Sequence, residues 1–448
     1  MPYSRTTPRY RESGPTPPST EREAPPPPAG RSALALYGDR RMLAIFAMGF
    51  ASGLPLLLTT STLSYWLSTR GVDKTAIGLF ALVGLPYALK FLWAPALDLV
   101  PVPWLGARLG RRRAWTLVSQ AALVVAILAL GGTDPAAAPF LTASLALVVA
   151  FCSATQDIAV DAYRIEVLRD HEQGAGAAAT QAGYRGGLLV AGAGAVALSD
   201  FVDWPTIFAF LAVAVGVGAL GVVIAPEPER DPATAAPTRI TLATVLEPLR
   251  DLLTRPNAFV IVAFALLYKF GDAIAGTMAM PFYDELGFTG VEIASVTKVF
   301  GVLANLAGVL AGGVLVARAG IFRALLVGGI LQAVTNLLFA LQAQVGHHVG
   351  MLTVAIGADG FTGGLAASAF VAYLSSLCRT GMSATQYALL TSLMALGRTL
   401  LSSGSGWLAD HVDWATFFVL TTAFAVPGLV LLGWLGRRGD QRVPTSAS

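Results

Sequence analysis

The chain has 448 residues, of which 55% are hydrophobic and only 13% charged, with a mean hydropathy of +0.64 and a formal net charge of +3. Soluble globules carry roughly 25% charged residues, so this composition excludes a soluble enzyme and gives no sign of a nucleic-acid partner. It predicts an all-α, multi-pass membrane protein. Cys152 and Cys378 are the only cysteines; both fall towards the expected cytoplasmic side, where thiols stay reduced, and no disulfide is expected.

Residues 1–38 are rich in Arg, Ser, Thr and Pro, including the run Pro25 to Pro28, and read as a disordered cytoplasmic tail rather than a signal peptide. About 20 apolar residues span a bilayer as a helix, and twelve such runs follow: 42–66, 76–99, 115–132, 140–162, 175–198, 206–225, 258–282, 293–316, 324–342, 351–374, 385–406 and 415–434. Arg40, Arg41, Arg108, Arg111 to Arg113, Arg169, Arg318, Arg323, Arg379, Arg437 and Arg438 all fall on the side of the termini. The opposite loops hold Arg70 and Lys74 and otherwise run acidic or neutral, so the positive-inside rule predicts cytoplasmic termini.

The longest inner loop, 227–257, divides the runs into bundles at 39–226 and 258–436, with a short tail at 437–448. Within that loop Leu242, Val245, Leu246, Leu249, Leu252 and Leu253 recur at helical spacing, predicting an interfacial amphipathic helix. The halves repeat each other: Leu198 to Phe208 returns as Leu408 to Phe418, and Ala162-Tyr163 as Ala372-Tyr373, at one offset and in the same order. Two parallel six-helix pseudo-repeats imply a substrate site near the midplane between them.

Ionisable residues inside a membrane are expensive and should face the protein interior or a wet cavity. Here they are Lys90, Asp157, Arg185, Lys269, Asp272, Lys298, Asp359 and Arg398, in spans two, four, five, seven, eight, ten and eleven. Spans three, six, nine and twelve carry none and are expected to face lipid. At about 1.5 Å per helical residue, Arg185, Lys269 and Asp359 come out near the bilayer centre, with Asp272 and Arg398 a little further out. The small-residue spacings Gly49/Gly53, Gly183/Gly187, Gly308/Gly312 and Gly360/Gly364 predict close helix packing.

Asp157 and Asp161 lie four apart on one helical face and repel, which favours keeping one of them protonated; Arg164, three beyond Asp161, offers a cation. These residues read either as a proton-coupling site, with Asp272 and Asp359 as further candidates, or as an anchor for the helix end. A substrate site is expected to draw cations from Arg185, Lys269 and Arg398 and polar or aromatic faces from Gln156, Tyr184, Tyr268, Trp66, Trp93 and Tyr283. Lys269 and Asp272 are also spaced to pair only with each other. No phosphate-loop, zinc-protease or nucleophile-elbow motif is present, and His347-His348 reads as a solvated loop pair; neither cofactor nor metal is expected.

Asp98 followed by Gly110-Arg111-Arg112-Arg113, and Gly313 to Arg323 with Arg318, resemble the loop signature of the major facilitator superfamily. The first copy is stretched by Val100 to Leu109, and the second has Ala317 where that family often has its acid. The resemblance implies a gating role for Asp98, Arg111, Arg112 and Arg318, to which Arg164 is added at the same membrane face. Gly49 to Leu58, Lys90 to Asp98, Gly110 to Trp115, Phe151 to Asp157, Gly174 to Ala178 and Tyr268 to Asp272 together resemble the AmpG-type muropeptide permeases, over about 40–434. That resemblance implies proton-driven import of anhydro-muropeptides across the bacterial inner membrane for peptidoglycan recycling, by a monomer, and, where the regulator exists, β-lactamase induction. Left open are an exporter or acetyl-coenzyme A carrier of the same superfamily and, from another class, a non-transporting membrane sensor.

Overall fold

A computed structural model describes residues 37–72, 80–228, 242–289, 292–293, 295–402 and 404–437. The expected tails (1–36 and 438–448), Lys74, linker residues 229–241 and the side chain of Lys298 lie outside the described residues. All regular structure described is helical. Among the described residues, nine segments are long and apolar enough to cross a membrane: α1 Arg40–Thr69, α3 Arg111–Gly131, α4 Pro139–Val167, α6 Trp204–Ile224, α7 Ala258–Glu285, α8 Ser295–Ala319, α9 Ile321–Val345, α10 Val349–Ser376 and α12 Trp414–Arg437.

The other three expected spans are helical too, and less apolar or less regular. The second, α2 (80–99), comes in short pieces ending in Ala94–Leu99; α5 (173–198) joins Gln173–Leu189 to Ala195–Leu198 through a wider π turn, Val190–Gly194; and α11 is Ser383–Ser402. Their polarity has a reason, because Lys90, Arg185 and Arg398 sit on these helices.

Two helices break where the apolar pattern gives no warning. In α1, Pro55 lies within Arg40–Leu58, and the Thr59 and Thr60 hydroxyls turn back to donate to the Pro55 and Leu56 carbonyls at 2.8 and 2.7 Å before Ser61–Thr69 resumes. In α7, Ala258–Leu267 ends at Tyr268, and Phe270–Glu285 restarts with Lys269 at its cap and Asp272 in its first turn. A carboxylate is favoured there by the amide dipoles of the helix start.

The first six helices pack on one another, as do the last six, and the sequence repeat has a structural counterpart. Gly110 and Gly320 precede α3 and α9 with the same left-handed backbone (φ 85°, ψ 164° and φ 82°, ψ 164°), a conformation that favours glycine. Asp203 and Asp413 accept the backbone N–H groups of Thr206 and Thr416. Trp204–Phe208 and Trp414–Phe418 stand 6.2 and 6.3 Å apart in matching aromatic clusters.

Close glycine contacts knit the helices within each half. A Cβ on Gly53 of α1 would sit 2.1 Å from the Tyr184 carbonyl oxygen of α5, and one on Gly308 of α8 would sit 1.9 Å from that of Phe361 in α10. Exposed side chains such as Val125, Val213, Leu220, Val334 and Val430 give α3, α6, α9 and α12 apolar outer faces, as a hydrocarbon solvent requires. One of these four is more than a lipid-facing wall, since α9 also sends Gln332 into the interior cavity described next.

Candidate substrate cavity and inter-half seam

A cavity of about 590 Å³ lies between the halves. Its charged lining is Arg185 from α5, Lys269 and Asp272 from α7, Asp359 from α10 and Arg398 from α11, joined by Gln181, Asn305 and Gln332. These five charges come from four helices far apart in sequence, and membrane cost supplied the only common signal that they would meet. The break in α7 positions Lys269, whose Nζ donates to Asp272 Oδ2 at 3.2 Å and to Gln332 Oε1 at 2.5 Å. Arg185 Nε is buried with no protein partner. A buried donor left unpaired costs about 1–3 kcal/mol, so it is poised to donate to a ligand oxygen.

The remaining expected substrate residues lie elsewhere. Tyr268 is buried, stacks on Phe370 at 5.1 Å and donates its hydroxyl to the Leu325 carbonyl at 2.8 Å, which joins α7 to α9 and α10. Trp66 is buried against Trp204 and Phe208. Trp93 packs against Phe151 with ring centroids 4.7 Å apart and planes tilted by 36°, and donates to Thr155. Tyr283 is buried on α7 and lines a separate small chamber. Gln156 is fully buried in the first half, with Nε2 donating to Ser52 Oγ at 3.3 Å and Oε1 unpartnered. Beside it Asp157 Oδ1, Tyr87 Oη and Ser153 Oγ are likewise buried without a protein partner. Lys90 and Asp161 are the charged neighbours of Asp157, and Tyr184 adjoins this same cluster rather than the cavity.

At the membrane face that holds the termini, the halves are tied together. Asp98, 2% exposed, pairs with Arg112 at 2.6 Å inside its own half. Across the seam its Oδ2 accepts the Thr385 backbone N–H at 2.8 Å and the Thr385 hydroxyl at 2.6 Å, while Oδ1 takes the Ala384 N–H at 3.4 Å. A carboxylate thus caps the start of α11, where unpaired amides and the helix dipole favour an anion. Glu166 completes the node: it pairs with Arg112 and accepts the Ser383 hydroxyl at 2.6 Å. Arg111 donates to the Asp98 carbonyl.

Arg164, fully buried, pairs with Asp161 at 3.5 Å, donates to Ser375 Oγ across the seam at 2.8 Å and lies over the Tyr387 ring. The inter-half hydrogen bonds among the described residues, including Tyr37 Oη to the Leu310 carbonyl at 3.0 Å, cluster at this face. Arg318 is exposed at the end of α8 and takes no part in the node. Ser375, Ser383 and Thr385 escaped the sequence reading because a hydroxyl carries no signal until its partner is known, and Glu166 because an acid at a helix end reads as ordinary solvated charge. The spacing of Asp161, Arg164 and Glu166 along one helix end hinted at Glu166.

Cavity, seam and pseudo-repeat define a membrane transporter rather than an enzyme. The Major Facilitator Superfamily model matches residues 42–400 and 273–448. The chain is 40% identical over 402 residues to the anhydromuropeptide permease of Escherichia coli (strain K12), covering 89% of this chain and 80% of that one. It is 33% identical to the putative transporter AmpG 4 of Rickettsia felis, covering 90% and 98%. The solved proton:xylose symporter XylE shares the fold with a TM-score of 0.62 at 13% identity, covering 90% of this chain and 95% of that one. The chain therefore belongs to the major facilitator superfamily, within its AmpG-type permeases.

Proposed function

We propose that this permease imports GlcNAc-anhydroMurNAc, with or without its peptide, into the cytoplasm across the bacterial inner membrane, in symport with protons and by alternating access. The supporting observation is the cavity lining, in which three cations face two acids and one guanidinium nitrogen stands unpartnered. Such a site suits a ligand with several carboxylates, because charge-assisted hydrogen bonds are strong where water is scarce. The name of the E. coli relative supports the choice of substrate. Arginine-rich loops on the terminal face support cytoplasmic termini, and the two packing groups support bundles at 39–226 and 258–436 joined by 227–257. The closed seam at that face supports reading this conformation as one shut towards the cytoplasm.

Asp157, Asp161, Asp272 and Asp359 are the acids proposed to carry protons, and Asp98, Arg111, Arg112 and Arg164 the gate, with Arg318 as the repeat counterpart. Arg185 is the residue assigned to a substrate carboxylate. A lost charged hydrogen bond costs about 1.5–3 kcal/mol, or about ten- to a hundredfold in affinity. Arg185→Ala is therefore expected to weaken uptake of the peptide-bearing substrate by that factor at unchanged membrane abundance, and to weaken uptake of the peptide-free disaccharide less. Equal losses for both would move Arg185 to the sugar or to the scaffold.

A further inference from the structure

A second, smaller chamber of about 90 Å³ adjoins the central cavity, and the two share Asp272, Gln332 and Asp359. Among the described residues its walls come from α7, α9, α10 and α12, so it lies inside the second half and away from the inter-half path. Along α7 it extends from Asp272 past Ala279 to Tyr283, roughly 16 Å at the helical rise, in the direction away from the terminal face. Asn336 Nδ2 is buried at its wall without a protein partner. A polar space of this size has room for a few waters and for nothing as large as a disaccharide.

Lys269 stands at the junction of the two spaces. Its ammonium is held by Asp272 and Gln332 and also lines the central cavity. The other charged or titratable groups facing this junction are Asp359 from α10, Tyr283 from α7, and Arg185 and Arg398 across the central cavity; α9 and α12 present Gln332, Asn336, Phe339 and Phe418, which do not titrate.

We propose that protons reach Asp272 and Asp359 through this side chamber, separately from the substrate, and that their arrival transfers Lys269 from Asp272 to a substrate carboxylate. The step balances: hydronium gives its proton to a carboxylate oxygen, the acid becomes neutral, and the ammonium loses its internal counter-ion. An unpaired ammonium in a partly dehydrated cavity is costly, and an anionic ligand restores neutrality. Proton and substrate thus load together, while neither alone leaves a satisfied site. When the substrate departs towards the cytoplasm, Lys269 returns to Asp272, and the acid's proton passes to water in the central cavity, which both acids also line, and leaves on the cytoplasmic side.

The inference rests on the proton-coupled, anionic-substrate reading above, and its test separates the two. Purified full-length protein in proteoliposomes is assayed with labelled peptide-bearing GlcNAc-anhydroMurNAc, once for exchange at equal concentration and once for accumulation under an imposed inward proton gradient. Asn336→Leu and Ala279→Leu each fill the chamber without touching the central cavity. Both are expected to cut gradient-driven accumulation at least tenfold and to leave exchange within about twofold of wild type. Wild-type accumulation in both variants overturns the separate route, and so does parallel loss of exchange and accumulation, which would make the chamber part of the substrate path or of the packing. If the unmodified protein exchanges substrate but never accumulates it under the gradient, the proton-coupled reading itself has failed.

Discussion

The seam at Thr385 offers a test in which one bond is removed and little else changes. Thr385→Val keeps the shape of the side chain and the backbone N–H that reaches Asp98, but deletes the hydroxyl that donates to Asp98 Oδ2 at 2.6 Å. That bond joins a neutral donor to a buried carboxylate and contributes about 1.5–3 kcal/mol. It crosses between the halves, so it exists only while the terminal face is closed, and its loss shifts the closed-to-open equilibrium by about ten- to a hundredfold. The readout is a single cysteine at Ala367, on the cavity wall, in a background where Cys152 and Cys378 have been replaced. In inside-out vesicles an impermeant thiol reagent labels this site at a rate proportional to the minor, cytoplasm-open population. That rate is expected to rise about ten- to a hundredfold in Thr385→Val at limiting reagent, where opening and closing are fast relative to labelling. An unchanged rate, or faster labelling from the periplasmic side, would refute the assignment of Asp98 and Thr385 to the gate.

Close packing at Gly53 predicts that Gly53→Ala, whose Cβ would meet the Tyr184 carbonyl oxygen at 2.1 Å, lowers folded yield in the membrane severely. Gly216→Ala, with nothing within 4 Å, is expected to leave yield within error by fluorescence size-exclusion chromatography. In the linker helix Leu242–Thr254, Asp251 is held below the usual carboxylate range: burial pushes it up, but hydrogen bonds and charge from Arg255 and Arg379 outweigh that. Because its folded pKa is depressed, its contribution is present above the unfolded value of about 3.9 and is lost as pH falls through the lower folded value. Hydrogen exchange in 246–252 is therefore expected to stay slow from neutrality down to about pH 5, whereas Asp251→Asn should expose the segment across that whole range; equal protection in the variant would contradict the docking role. Asp157→Asn is expected to abolish uphill accumulation while sparing part of the exchange, with Asp161→Asn milder, as scored in proteoliposomes. Full accumulation in Asp157→Asn would leave the coupling to Asp272 and Asp359.

Nine of the expected spans were legible because a bilayer makes length and apolarity nearly sufficient, and the repeat because Asp203-Trp204 and Asp413-Trp414 do the same capping and packing in both halves. The charged cavity was legible for a related reason: Arg185, Lys269, Asp272, Asp359 and Arg398 have no tolerable place in lipid and line one space. Aromatic residues carry no such penalty. Trp66, Trp93 and Tyr268 stand at plausible depths, but depth does not fix which helix face turns inward, and packing against Phe208, Phe151 and Phe370 claimed them. The breaks at Thr59 and Lys269 and the seam partners of Asp98 were hidden for want of local signal, since each depends on a neighbour distant in the chain.

The most direct measurement is uptake itself. Proteoliposomes holding the purified chain are loaded at neutral pH, placed in acidic buffer with labelled peptide-bearing GlcNAc-anhydroMurNAc, and followed with and without a protonophore. Accumulation above the external concentration that collapses with the protonophore is the predicted result. Equilibration to the same level under both conditions, or no entry of the label at all, would contradict proton-coupled import of this substrate.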